Sequence, residues 1–187
     1  MWKSKFAAIV ILSIVISACA HSPADQRELA HVQWLPAIKA IIRSGDLADY
    51  QNVAARLNLI LDAKEPVPAK DVDGNIIGES IDVETMPPAN SSDNGKIRFR
   101  YGILVPKNRP YKRAMLTVRN IGLGGCITTS DIYKEFGYVR QTTYPHSDFH
   151  SADYHFRGDN TIDLYFIFVN KNEQCAEEVS IFQNRWK

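Results

Sequence analysis

From Gln26 onward the apolar positions Leu29, Val32, Leu35, Ile38 and the pair Ile41/Ile42 recur at three- and four-residue spacing. That period predicts an amphipathic helix. Asp25 stands where an N-cap belongs, with Glu28 three residues on as in a capping box. Pro36 falls inside the pattern and predicts a kink or a division into two pieces. Arg43-Ser44-Gly45 ends it, with Gly45 as the left-handed residue past the last turn. Asp46 then reads as the cap of a second helix carrying Leu47, Tyr50, Val53, Ala54 and Leu57, closed by Asn58.

After Leu59 the period shortens to that of strands. Val67–Val72 and Ile76–Val83 flank Asp73-Gly74, a hairpin turn signal. Thr85–Gly95 has no periodicity and reads as an exposed loop. Ile97–Val105 alternates as a strand, Lys107–Pro110 turns the chain, and Arg113–Val118 returns as its partner. Gly122–Gly125 leads to Cys126, and Ser130 caps a short helix, Asp131–Phe136, closed by Gly137. Tyr138–Thr143 reads as a further strand and Pro145–Ser151 as a polar loop. Tyr154–Arg157 and Thr161–Val169 flank Gly158-Asp159-Asn160 as a second hairpin, and Val179–Phe182 is the last strand. Within them, Leu164–Phe168 predicts a central strand buried on both faces. Helices followed by hairpin-linked strands predict an α+β fold, with the N-terminal αα-hairpin packed on one face of an antiparallel sheet.

The N-terminus obeys neither period. Lys3 and Lys5 precede an uncharged run of thirteen residues, Phe6–Ala18. As a helix that run reaches only about 20 Å, short of the roughly 30 Å hydrocarbon core, so a spanning anchor is the poorer reading. A basic start and a short apolar stretch are the anatomy of an export signal. Its end, Ile16-Ser17-Ala18-Cys19, resembles the lipobox of bacterial lipoproteins. The resemblance covers the signal alone. It implies cleavage after residue 18, acylation of Cys19, a tether through Asp25, and one periplasmic domain over 26–187. Several acyl chains, at about 0.8 kcal/mol per buried CH₂, anchor a protein effectively permanently. Ala20, where the family's inner-membrane retention signal has aspartate, implies the periplasmic face of the outer membrane. The alternative is an ordinary secretory signal with Cys19 incidental.

An exported address makes sense of the other cysteines. The chain has three, and with Cys19 acylated Cys126 and Cys175 remain as a pair in an oxidising compartment. A bridge between them is expected, because neither has a local His or Lys to depress its pKa.

Composition and charge narrow the function further. At 187 residues, 45% hydrophobic and 23% charged, the chain suits one globular domain. Lys+Arg is 22 against Asp+Glu 21, and cleavage at Cys19 leaves 20 against 21. That balance offers nothing to a nucleic acid, which recruits a basic excess.

Candidate chemistry is sparse. Asp71-Val72-Asp73-Gly74-Asn75 invites a calcium reading, but Gly stands fourth and Asp82 twelfth where an EF-hand needs Gly sixth and Glu twelfth. The turn reading asks less of the same residues. His146, Asp148, His150, Asp153 and His155 lie within ten residues, the side-chain types of a zinc or copper site, though on a loop rather than one helix face. His155 is expected to point away from Tyr154 and Phe156. Glu177-Glu178 reads as solvated. Arg98, Arg100, Arg113 and Arg119 alternate outward as either a small basic patch or a charged face that guards the sheet against aggregation. No P-loop, dinucleotide fingerprint or Gly-x-Ser-x-Gly elbow is present.

The expectation is therefore a non-enzymatic, lipid-anchored binding protein that needs no cofactor or metal. Signal, size and paired cysteines are similar, in a general way, to lipoprotein immunity proteins that neutralise periplasmic type VI secretion toxins. The partner implied is a protein, besides the bilayer held through Cys19. Envelope-assembly or stress lipoproteins share these features. The competing class is a periplasmic hydrolase or metal-dependent enzyme using His146, Asp148 and His150. The candidate binding surface is the segment Tyr144, His146, Asp148, Phe149, His150 and Tyr154, since interfaces are enriched in aromatics.

Overall fold

A computed structural model of the protein describes residues 33–86, 97–144, 148–169 and 174–185. The signal segment 1–18, Cys19, the tether with Asp25, and the helical pattern over 26–32 lie outside the described residues. So do 87–96 and His146.

Helix α1 spans Trp34–Ser44. Pro36 sits in its first turn, where backbone N–H groups have no intrahelical acceptor, so the ring costs no hydrogen bond. Gln33, just before the helix, has non-helical backbone angles, so Pro36 stands at the start of the described helix, and the expected join with the pattern over 26–32 lies outside the described residues. Gly45 closes it in the left-handed region, φ 70°, its N–H donating to the Ile42 carbonyl. Helix α2 spans Tyr50–Leu57, and here the expected cap moves. Asp49, not Asp46, accepts the Asn52 N–H at 3.1 Å, while Asp46 accepts from the Ala48 N–H in the preceding turn. Leu47 is thus buried from a turn rather than from a helix face. Asn58 ends α2 at φ 53°, as its side chain tolerates.

Among the described residues nine strands form one antiparallel sheet: β1 (Leu61–Ala63), β2 (Val67–Lys70), β3 (Ile76–Thr85), β4 (Arg98–Pro106), β5 (Arg113–Arg119), β6 (Gln141–Thr143), β7 (His150–Arg157), β8 (Thr161–Phe168) and β9 (Glu178–Gln183). Their spatial order is β1-β3-β4-β5-β9-β8-β7-β6, with β2 also paired to β3. Both expected hairpins form, β2–β3 around Gly74 (φ 85°) and β7–β8 around Gly158. Asp71 accepts from the Asp73 N–H, the Asn75 N–H and the Asn75 amide, so turn hydrogen bonds occupy the carboxylate that a calcium site needs. Gly78 faces Pro106 across β3–β4, and a Cβ there would lie 2.2 Å from the Val105 carbonyl oxygen, an approach only glycine permits.

Between β5 and β6 a short 3₁₀ turn, Ile121–Gly124, leads to helix α3 (Thr129–Phe136). Its cap is Thr128, not Ser130: Thr128 Oγ1 accepts the Asp131 N–H while Asp131 accepts from the Thr128 N–H. Cys126 and Cys175 are joined by a disulfide, and Thr128 bridges Cys175 through the backbone beside it.

Alternation gives the sheet two different faces. Tyr101, Ile103, Leu116, Val118, Val179, Ile181, Leu164, Phe166 and Phe168 are buried on one of them. Trp34, Ile38, Ile41, Val53, Leu57 and Ile132 belong to the same hydrophobic cluster. A buried polar network adds direction to this packing. Gln183 accepts from the Leu47 N–H, the Tyr101 hydroxyl donates to the Leu47 carbonyl, and Asn160 donates to the Gly45 carbonyl at 2.8 Å. Asn184, fully buried at φ 54°, accepts from the Thr161 N–H and donates to Lys112 and Asn160.

Candidate functional site

The second face of the sheet carries the other half of each alternation. In register across β4, β5 and β9, Arg98 stands beside Arg119 and Arg119 beside Glu178. The next row is Arg100, Thr117, Ser180, Tyr165 and Asp153, and the one after it is Gly102, Met115, Phe182, Asp163 and His155. Arg98, Arg100, Arg113 and Arg119 do share this face. Two adjoining depressions, of about 490 and 400 Å³, open onto it and have Arg100, Met115 and Phe182 in common.

Hydrogen bonds fix the floor. Arg119 Nε donates to Glu178 Oε2 at 2.6 Å, Ser180 Oγ donates to Glu178 Oε1 at 2.8 Å, and the Thr117 and Ser180 hydroxyls are 2.9 Å apart. Glu178 is therefore an ion-pair partner and not the solvated carboxylate expected from the Glu177-Glu178 pair. Phe182 forms the apolar side, with the Tyr165 ring edge-on at 5.8 Å and the Arg185 guanidinium 4.5 Å from its centroid. Burial pushes the Tyr165 phenol above its ordinary pKa, and the Asp163 carboxylate adds to the rise. Beside it the exposed His155 places its Nδ1 2.8 Å from Oδ1 of the buried Asp163.

The segment nominated from sequence comes out divided. Tyr144 and Phe149 are exposed, 42% and 45%, and Asp148 is exposed between the strands. His150 and Ser151 belong to β7 rather than to the loop, and the His150 ring stacks on Phe168 at 4.7 Å. Tyr154 is 8% exposed and its hydroxyl donates to the Gly137 carbonyl at 2.7 Å, so it is a core anchor and offers no binding surface. His155 does project away from Tyr154. His150 and His155, five positions apart on one strand, thus lie on opposite faces of the sheet. Among the described residues no group of three His, Cys, Asp or Glu side chains is placed to hold a metal ion.

Sequence reasoning passed over Asp163, Tyr165, Phe182 and Arg185. Tyr165 and Ile167 are half-buried, so Leu164–Phe168 is sealed on one face and not on both. Two apolar residues on the open side hid that alternation. The signal present was in β9, where Glu178, Ser180 and Phe182 alternate with Val179 and Ile181.

Among the described residues no helix is long and apolar enough to cross a membrane. No family model, curated protein or solved structure matches the chain.

Proposed function

We propose that the protein is a lipoprotein held by acylated Cys19 on the periplasmic face of the outer membrane, and that it acts there as a non-enzymatic protein-binding module. The open, depressed sheet face carries this reading: arginines, carboxylates and aromatic rings in one concave surface are what a protein partner engages. In the same reading the N-terminal αα-hairpin seats on the apolar face, which leaves the other face for binding. The Cys126–Cys175 bridge supports the address, since it suits an oxidising compartment and leaves Cys19 of the lipobox for lipid. The role that fits best is immunity against a periplasm-directed toxin delivered by a type VI system.

The test has two arms. Cys19→Ser should move the protein from the membrane to the soluble fraction and abolish labelling by a fatty-acid analogue. A strain lacking the gene should lose in contact with its parent and be rescued by the wild-type gene. A Cys19→Ser protein that stays membrane-bound and labelled would sink the address, and a deletion strain that competes as an equal would sink the immunity role.

A further inference from the structure

The open-face groove has a charge of its own. Five arginines line its two depressions against two carboxylates, Asp82 and Glu178, on a chain whose formal net charge is only +1. The arginines are also unevenly committed. Arg119 is neutralised by Glu178, whereas among the described residues neither Arg98 nor Arg100 forms an ion pair. Arg98 stands directly opposite Arg119 in the ladder, and Glu178 is engaged by Arg119 and Ser180, so the carboxylate of this pair is committed away from Arg98.

Arg98 and Arg100 are two residues apart on one strand face, a separation of about 7 Å. That is also the separation of side chains at alternate positions of an extended peptide. Between the arginines and Phe182 the floor offers Met115 and the Thr117 and Ser180 hydroxyls, an apolar and polar mixture suited to side chains. Glu178 and Asp82 set a further condition. A continuous polyphosphate backbone would bring charge against both carboxylates, whereas a peptide can put an uncharged side chain there.

From this juxtaposition we propose that the groove binds an extended acidic segment of a protein partner, with carboxylates at alternate positions on Arg98 and Arg100. The assignment rests on the protein-binding reading above and gives it a partner chemistry. Charge complementarity of this kind sets specificity and encounter rate, and so depends on ionic strength.

The test uses the full lipidated chain in a non-ionic detergent and reads fluorescence anisotropy. The probes are a labelled short peptide of alternating glutamate and valine, its glutamine counterpart, and a labelled oligo-dT strand. The glutamate peptide should bind at least about tenfold more tightly than the glutamine one, and 1 M salt, with its Debye length of about 3 Å, should abolish the difference. Arg98→Gln with Arg100→Gln should weaken the glutamate peptide about tenfold, a loss of about 1.4 kcal/mol. Lys107→Gln with Arg109→Gln, on a turn outside the groove, should change nothing. Equal binding of the two peptides, or an unaffected Arg98→Gln/Arg100→Gln protein, overturns the assignment. Tighter binding of the oligonucleotide overturns it in favour of nucleic acid. Protection in the competition assay that survives the arginine changes would leave the immunity role standing and remove the groove from it. Peptide discrimination with no competitive defect would do the reverse.

Discussion

Tyr154 is the residue where sequence pattern and burial part company. Beside Phe149 and Asp153 it looks like an aromatic of a binding loop, yet its place in β7 turns it inward. There its ring lies 5.6 Å from that of Phe136 and its hydroxyl reaches the Gly137 carbonyl. Burial, with a smaller contribution from Tyr133, pushes the phenol up to about 12. Its folded pKa thus exceeds the unfolded value of about 10. A group of that sign contributes stability that is fully present below pH 10 and lost as the pH rises toward 12. Tyr154→Phe should lower stability at pH 7 by about 1 kcal/mol, the net worth of one hydrogen bond. It should also make the fall in the urea midpoint between pH 10 and 12 less steep. Tyr101, Tyr133 and Tyr165 shift in the same direction, so the variant's curve stays inclined. Identical slopes for the two proteins would refute this account of Tyr154.

Elements whose signals are local were legible, and those set by distant partners were not. Asp73-Gly74 and Gly158-Asp159-Asn160 dictate their turns within four residues, so both hairpins read correctly from sequence. β1 was missed because three residues carry no period, and they form a strand only against Val83–Thr85. The insertion of β9 between β5 and β8 is likewise a long-range choice that no local pattern encodes. Helix starts fall between these cases. Thr128, Thr129 and Ser130 each offer a capping oxygen, and the one used, Thr128, is itself bridged to Cys175 through the backbone at the start of a helix that buries Ile132. Thr128→Ala should cost about 1 kcal/mol of unfolding free energy, whereas Ser130→Ala, at an exposed position, should cost close to none. Asp131, held below the ordinary carboxyl pKa first by the Thr128 hydroxyl, should contribute less to stability as the pH falls through that range. Equal losses for the two variants in urea unfolding would return the cap to Ser130.

Among the described residues, the sheet has one face sealed by the hydrophobic cluster and one left open, and the disulfide lies where the chain returns to the middle of that sheet. Cys175 precedes β9 by three positions, and β9 supplies Ser180 and Phe182 to the open groove and Ile181 to the core. The bridge closes 49 residues that include α3, β6, β7 and β8, so it holds a third of the described strands in one loop. In the chain-entropy model a loop of that length contributes about 4 kcal/mol by restricting the unfolded chain. Cys126→Ala with Cys175→Ala should therefore lower the unfolding free energy by about that amount, read from urea unfolding with m fitted separately for each protein. Dithiothreitol should bring the wild-type protein to the same midpoint and leave the double variant unmoved, because the bridge is the bond it breaks. Thiol counting on the denatured, unreduced lipidated protein should find none free. Two reactive thiols, or a wild-type midpoint indifferent to reductant, would remove both the bridge and the support it lends to an oxidising compartment.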